Sequence, residues 1–229
     1  HISQQFSVEL DKVKTRMLDM GGLVQQQVAD AVTALIDADS SLAKQVREDD
    51  QHINEMEVSI DEECIRILAR RQPAASDLRL VVAVSKSVID LERIGDEAGK
   101  IALQAIQLTE TGESPRGYRE IRHIGNHVGV MMRDALDAFA RMDVDMALAV
   151  VKEDSLVDDE YGTAMRSLIT YMMEDPRFIS QMLNVLWAYR SLERIGDHAR
   201  NIAEHVIYLV KGTDVRHIGI KEISKEVNS

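Results

Sequence analysis

The sequence predicts an all-α protein built as two pseudo-symmetric three-helix bundles, and three observations carry that prediction. The composition sits at the helix-forming end of the propensity scale, with three prolines, few aromatics and plentiful Ala, Leu, Met, Glu, Arg and Gln. Apolar residues recur at intervals of three and four over long stretches, the period of a helix with one buried face. The stretch Leu91-Glu92-Arg93-Ile94-Gly95-Asp96 returns unchanged as Leu192-Glu193-Arg194-Ile195-Gly196-Asp197, 101 residues later. Extended to Leu91 through Ala102 and Leu192 through Ala203, the copies differ only at Glu97/His198, Gly99/Arg200 and Lys100/Asn201. The chain is an internal duplication.

The first helix follows from Phe6, Leu10, Val13, Met17, Met20, Val24, Val28, Ala31 and Leu35, one apolar stripe. Asp37-Ala38-Asp39-Ser40-Ser41 offers capping side chains for a second helix from about Leu42 to Arg70, with Val46, Ile53, Met56, Ile60, Cys64 and Ile67 inward. Pro73 ends it, because proline removes a donor and biases Gln72 away from helix. A third helix runs from about Leu78 to Thr109, with Asp77 as its cap and Leu80, Val84, Val88, Leu91, Ile94 or Gly95, Ala98, Ala102 and Ala105 on its core side.

Thr111-Gly112-Glu113-Ser114-Pro115-Arg116-Gly117 is the richest turn cluster and the expected joint between the halves. The pattern then restarts: Tyr118 to Arg141, Val144 to Glu174, and a sixth helix opened by Asp175-Pro176 and stopped at Gly212. Residues 1–111 and 117–212 thus form the two bundles, and 213–229 a weakly periodic tail expected to be mobile at its end. At an offset of 104, Ala31, Ala34, Asp39, Ala43, Val46, Asp50 and Ile53 match Ala135, Ala138, Asp143, Ala147, Val150, Asp154 and Val157. The fall from 104 to 101 places a three-residue loss near the connection between the second and third helices of the later half, where a surface loop tolerates it.

A formal charge of -12 argues against nucleic acid or an anionic membrane surface as partner, since both reward clustered Lys and Arg. No apolar run approaches the roughly 18 residues a membrane span needs, and no signal-peptide pattern opens the chain. The single cysteine, Cys64, lies among Ile65, Ile67 and Leu68 and reads as a buried structural thiol. It excludes a thiolate-rich zinc framework and suits a reducing, cytoplasmic compartment. The chain opens on His1 rather than Met, so native N-terminal residues are expected to be missing or replaced.

The repeated stretch carries Glu and Asp four residues apart, one above the other on a helix, where like charges repel by about 0.2–0.5 kcal/mol. A short connection makes the second and third helices of each half antiparallel, so residues equidistant from the turn face each other. That register brings Asp50/Asn54 to Glu92/Asp96 in the first half and Asp154/Asp158 to Glu193/Asp197 in the second. Converging carboxylates raise one another's pKa unless a cation intervenes. An oxygen-rich set with little His suits Mg, Ca, Mn or Fe, and Zn also accepts carboxylates. The plain alternative is a solvated acidic face, with Arg93 and Arg194 neutralising Asp96 and Asp197 through i, i+3 contacts. Recurrence of both halves of the site favours metal.

Other candidates are weaker. His123 and His127 have i, i+4 zinc spacing but no counterpart at Asp19 and Leu23, which suits a surface pair. Glu120 and His123 make one E-x-x-H where a di-iron bundle needs two. His198 and His205 could cap a metal site near Asp197. Tyr171-Met172-Met173 reads as core filler. Gly95 and Gly196 cost helix stability, which a close helix approach or a bound group would explain. No P-loop, activated nucleophile or dinucleotide fingerprint is present.

At these residues the chain resembles the PhoU family, cytoplasmic negative regulators of phosphate uptake and phosphate-starvation signalling. The resemblance runs through Met56-Glu57-Val58 with Ile60-Asp61-Glu62, Arg71 to Arg79, Leu91 to Asp96, Leu136 to Arg141, Tyr171 to Asp175 and Leu192 to Asp197. It implies a non-enzymatic adaptor, often dimeric, that binds multinuclear metal clusters through E/D-x-x-x-D motifs. Those motifs are Glu92/Asp96 and Glu193/Asp197, paired with Asp154/Asp158 and Asp50/Asn54. The implied partners are the sensor histidine kinase of the phosphate regulon, the ATP-binding subunit of the phosphate ABC transporter and a second copy in a homodimer. The sequence departs from full symmetry at Asn54, which stands where the second half has Asp158, and at Phe178-Ile179-Ser180, which stands for Asp77-Leu78-Arg79. A metal-dependent, di-iron-like helical-bundle enzyme and a metal-free scaffold are the other readings.

Overall fold

The computed structural model describes residues 2–112 and 117–228, so the centre of the expected joint, 113–116, falls outside the described residues. Seven α-helices follow in order: α1 (Ile2–Asp37), α2 (Ser40–Arg71), α3 (Ala75–Thr111), α4 (Tyr118–Arg141), α5 (Val144–Glu174), α6 (Ile179–Lys211) and α7 (Ile220–Asn228). A single 3₁₀ turn, Pro176–Phe178, precedes α6. Helices α1–α3 form one bundle and α4–α6 the other, with no strand among the described residues.

The duplication is written into the helix ends. Asp39 caps α2, accepting from the backbone N–H of Ser41 and Leu42, and Asp143 caps α5 through Asp145 and Met146. The residue before each cap, Ala38 and Met142, turns through the left-handed region with φ of 53° and 56°. Asp77, expected to cap α3, instead lies in its first turn; α3 starts earlier, at Ala75, after Ala74 with no side-chain cap. The three-residue loss falls between α5 and α6, where Asp175 alone stands for Arg71 to Ala74.

Each hairpin has the antiparallel register expected of a short connection. Ser85 on α3 donates to Asp61 on α2 at 2.6 Å, and the two residues lie equally far from Pro73. The bundles join through α3 and α6, which pack along their length, and through α1 and α4. Helices α3 and α6 run antiparallel: Arg79 near the start of α3 donates to the Leu209 carbonyl near the end of α6, and Glu97 meets Arg194 at mid-length.

This central position widens the buried face of α3. The expected stripe from Leu80 to Ala105 is buried, and so are Val81, Ala83, Ile101 and Leu108, because α3 packs against α1, α2 and α6 together. Burying such an aliphatic side chain stabilises by about 1.5–3 kcal/mol relative to exposure, which is why the widest apolar faces sit at the centre. Cys64 is buried, and desolvation pushes its thiol up to about 12.

The α1–α4 crossing repeats a knob against a glycine. A Cβ on Gly21 would lie 2.5 Å from Leu136 Cδ2, and one on Gly125 would lie 3.0 Å from Val32 Cγ1. Both pairs are related by the offset of 104, so each half presents one glycine and one aliphatic knob to the other.

Two expectations change. The tail contains α7, whose Ile223 and Val227 are buried against the second bundle, chiefly α5. Met173 is not core filler: it is 79% exposed, while Tyr171 and Met172 pack on the core edge.

Candidate metal centre

Carboxylates gather on both hairpins, in unequal ways. In the second bundle, Asp154 and Asp158 stand one turn apart on α5 and face Asp197 on α6, and one ligand oxygen from each lies within 4.8 Å of the others. Among the described residues this is the one such group of three. Gly196 faces Val157, Val128 and Asp154 Oδ1, and a Cβ there would make ordinary van der Waals contact with all three, so the α5–α6 approach does not depend on the glycine. Asp154 is almost fully buried, and its Oδ1 has no hydrogen-bond partner.

The electrostatics follow from that crowding. Burial, then Asp154 and Asp158, push the Asp197 carboxyl up to about 6. Glu193, one turn before Asp197, is raised by burial and by Asp197 and Asp158. Asp158 is raised by burial and by Asp154. Like charges held this close in a partly desolvated site favour either protons or a cation.

The first hairpin is looser. Asp50 on α2 bears on Glu92 and Asp96 on α3, with Glu92 raised by burial and then by Asp96, Glu57 and Asp50. Asp96 is raised by burial and by Asp50. Asn54 is exposed and supplies no charge; the further carboxylate from α2 is Glu57, itself raised by burial, Asp61 and Asp96. Glu57 was legible in principle, since Asp50, Asn54 and Glu57 fall at i, i+4 and i+7 on one helical stripe. Gly95 lets α2 and α1 approach, a Cβ there lying 3.0 Å from Gln27 Oε1 and 3.4 Å from Asp50 Oδ1. Gln27 Nε2 donates to Asp50 at 3.3 Å, so α1 also touches this site.

The neutralising cations are not the expected ones. Arg194 reaches across to Glu97 of the other bundle at 3.2 Å rather than to Asp197, and Lys100 meets the same Glu97 at 2.8 Å. Arg200 pairs with Asp154 and with Glu204, each at 3.0 Å. Its position is one of three at which the twelve-residue repeats differ, and its counterpart is Gly99.

The histidines also take other partners. His198 Nδ1 and Asn201 Nδ2 donate to Asp90 Oδ1 at 2.8 and 3.0 Å, and His205 Nε2 donates to Oδ2 at 2.9 Å. Burial alone would raise the Asp90 carboxyl, but these hydrogen bonds outweigh it and bring it down to about 2. The expectation that His198 and His205 cap the metal site is thus replaced by a buried clasp between α6 and α3. His127 lies between Glu153 and Glu160, at 2.8 and 3.1 Å, and His123 reaches Glu160 at 3.2 Å.

The donor set fits a hard cation. Three carboxylates close on one point, a buried oxygen among them lacks a partner, and no thiolate takes part, which suits ions that prefer oxygen. Fold and site together define a duplicated three-helix-bundle protein with a carboxylate-lined seam on each hairpin, unequal in the two halves.

Comparison with known proteins gives the particular family. The PhoU domain matches residues 17–105 and again 121–206, one copy per bundle. The phosphate-specific transport system accessory protein PhoU homolog of Pseudomonas putida is 70% identical over 227 residues, covering 99% of this chain and 89% of that protein. The phosphate-specific transport system accessory protein PhoU of Escherichia coli is 50% identical over 225 residues, covering 98% and 93%. The crystal structure of PhoU from Pseudomonas aeruginosa superimposes with a TM-score of 0.89 at 70% identity, covering 91% of this chain and all of that one. The chain belongs to the PhoU family.

Proposed function

We propose that this chain is a negative regulator of high-affinity phosphate transport and of phosphate-starvation two-component signalling. It acts as a cytoplasmic, non-enzymatic adaptor between the ATP-binding subunit of the phosphate ABC transporter and the sensor histidine kinase, as a homodimer with carboxylate-lined metal sites. The full-length likeness to proteins named as phosphate transport accessory proteins supports the regulatory part. No helix among the described residues is long and apolar enough to cross a membrane, which is compatible with an adaptor docking on a membrane system.

The observation that carries the metal part is the convergence of Asp154, Asp158 and Asp197 around one point. Glu193 stands beside them as a further ligand, and Asp50, Glu92 and Asp96 form the weaker site, with Glu57 in place of Asn54. A bound Mg, Mn, Ca, Fe or Zn ion would supply charge neutralisation and cross-link the two helices of each hairpin. Of the chain's own residues, Arg200 holds Asp154 in place. The single E-x-x-H pair does not favour a di-iron enzyme, since its His123 meets Glu160 rather than the carboxylate cluster.

The test is genetic and analytical. Deletion is expected to leave phosphate-starvation genes on in phosphate-rich medium, with the wild-type gene restoring repression; normal repression in the deletion strain would sink the regulatory reading. Elemental analysis of chelator-free protein should show metal that drops in a Glu193→Ala, Asp197→Ala variant. Equal, near-zero metal in both ends the metal reading and leaves a metal-free scaffold.

A further inference from the structure

A cleft of about 650 Å³ opens at the seam between the bundles, between α3 and α6 and below the segment that follows α6. Ligand sites favour such junctions and such volumes. The cleft gathers cations in a chain of net charge -12: Lys86 and Arg93 from α3, Arg194 and Arg200 from α6, and Arg216 beyond it.

Most charges around the cleft are already matched. Asp90 is saturated by His198, His205 and Asn201. Arg200 takes Asp154 and Glu204, Arg194 takes Glu97, and Arg216 takes Asp214. Lys86 and Arg93 have no carboxylate within ion-pair distance among the described residues: Lys86 acts on Asp214 only at longer range and rests over the Tyr208 ring, 5.5 Å from its centre, and Arg93 acts at longer range on Glu92 and Glu57. These two lie seven residues apart on one face of α3, about 10 Å along the axis. A ligand with two anionic groups can meet both with neither side chain folded toward the other.

We propose that this cleft binds a small ligand bearing two or more linked phosphoryl groups, gripped by Lys86 and Arg93. Guanidinium and ammonium groups bind phosphate and carboxylate alike, so the ligand class comes from the floor. Asp154 and Asp197 line both the cleft and the carboxylate cluster. Magnesium is typically held by one or two carboxylates together with a ligand's phosphates. A diphosphate arriving with magnesium satisfies the cations above and the carboxylates below. That last step rests on the metal reading given above; the grip of Lys86 and Arg93 does not.

Calorimetry of the full chain tests this with inorganic pyrophosphate, ADP and orthophosphate, each in magnesium and in chelator, alongside magnesium uptake measured without ligand. Pyrophosphate is expected to bind in magnesium and orthophosphate at least tenfold more weakly. Lys86→Gln, Arg93→Gln should lose at least tenfold in pyrophosphate affinity with the far-ultraviolet circular dichroism of the folded chain retained, and Arg166→Gln should lose nothing. Equal binding of ADP and pyrophosphate assigns the shared diphosphate, and pyrophosphate without ADP assigns an inorganic ligand. Pyrophosphate binding in chelator, lost in the double variant, by a chain that takes up no magnesium keeps the cleft and sinks the metal reading. Absence of pyrophosphate binding, ADP binding without it, or binding indifferent to the double variant overturns the proposal.

Discussion

Arg200 on α6 holds Asp154 on α5 at 3.0 Å, placing a permanent cation at the edge of the second carboxylate cluster where the first bundle has Gly99. The same guanidinium meets Glu204 one turn on, so it stabilises two buried carboxylates at once. A divalent ion at the cluster would compete with it for Asp154.

Arg200→Gln should therefore act in opposite directions on two measurements. The metal-free chain should lose about 1.5–3 kcal/mol in urea unfolding, the scale of a charge-assisted hydrogen bond. Divalent-ion affinity at the second cluster should rise severalfold by titration calorimetry. An affinity that falls would show that Arg200 orients Asp154 for the ion rather than competing with it.

The Asp90 clasp makes a stability prediction. Asp90→Ala leaves the donors of His198, His205 and Asn201 facing a void between the bundles, and removing one partner of a buried charged network costs about 3–5 kcal/mol. Asp90 is held down to about 2, so its contribution is complete above its ordinary value of 3.8 and is lost as pH falls from there toward about 2. Urea midpoints of wild type and Asp90→Asn should converge across that acid range. A constant gap would assign the loss to packing alone.

Asp197 has the reverse sign. Its folded value, up to about 6, exceeds 3.8, so between these values the folded chain binds more protons than the unfolded one. Its stabilisation is present below 3.8 and is lost as pH rises through about 6. In chelator this group should cost on the order of 1 kcal/mol between about pH 4 and about pH 7, allowing for solvent screening. Asp197→Asn should flatten that part of the stability profile, and so should saturating divalent ion. Identical profiles for wild type and variant would remove Asp197 as the source.

The glycines of α1 and α4 separate packing from propensity. Gly21→Val and Gly125→Val drive a branched side chain into Leu136 or Val32 and should each cost about 1–3 kcal/mol. Gly22→Ala, one residue along with nothing within 4 Å of its Cβ, should gain up to about 1 kcal/mol from helix propensity. Thermal melts of the three variants check the contrast; equal shifts for Gly21→Val and Gly22→Ala would refute the knob-and-glycine crossing.

Much of the hairpin scale was legible in the chain itself. The three- and four-residue spacing marked the buried sides of α1, α2 and α3, the capping cluster around Asp39 marked the start of α2, and the antiparallel register brought Asp154 and Asp158 to Asp197. These are local statements: a helix repeats every 3.6 residues and a short turn leaves one antiparallel register, so position along the chain maps onto position in space. α7 was missed because nine residues hold too few repeats for the period to stand out, although Ile223 and Val227 do share a face. Glu57 was overlooked because strict pairing by fours singled out Asn54, whereas the stripe continues at the next turn.

What the sequence by itself determined is the all-α class, the duplication, the helix order and the meeting of carboxylates across each hairpin. What only the tertiary structure decided is how the two bundles meet, with Arg194 on Glu97 and His198 and His205 on Asp90, and which cation meets the second cluster, Arg200 on Asp154 in place of the expected i, i+3 pair. The reason is physical. Periodicity says which side of α3 and α6 is buried but not which helix covers it, and Arg or His side chains reach whichever carboxylate the α3–α6 contact, between segments about 100 residues apart in the chain, brings within reach.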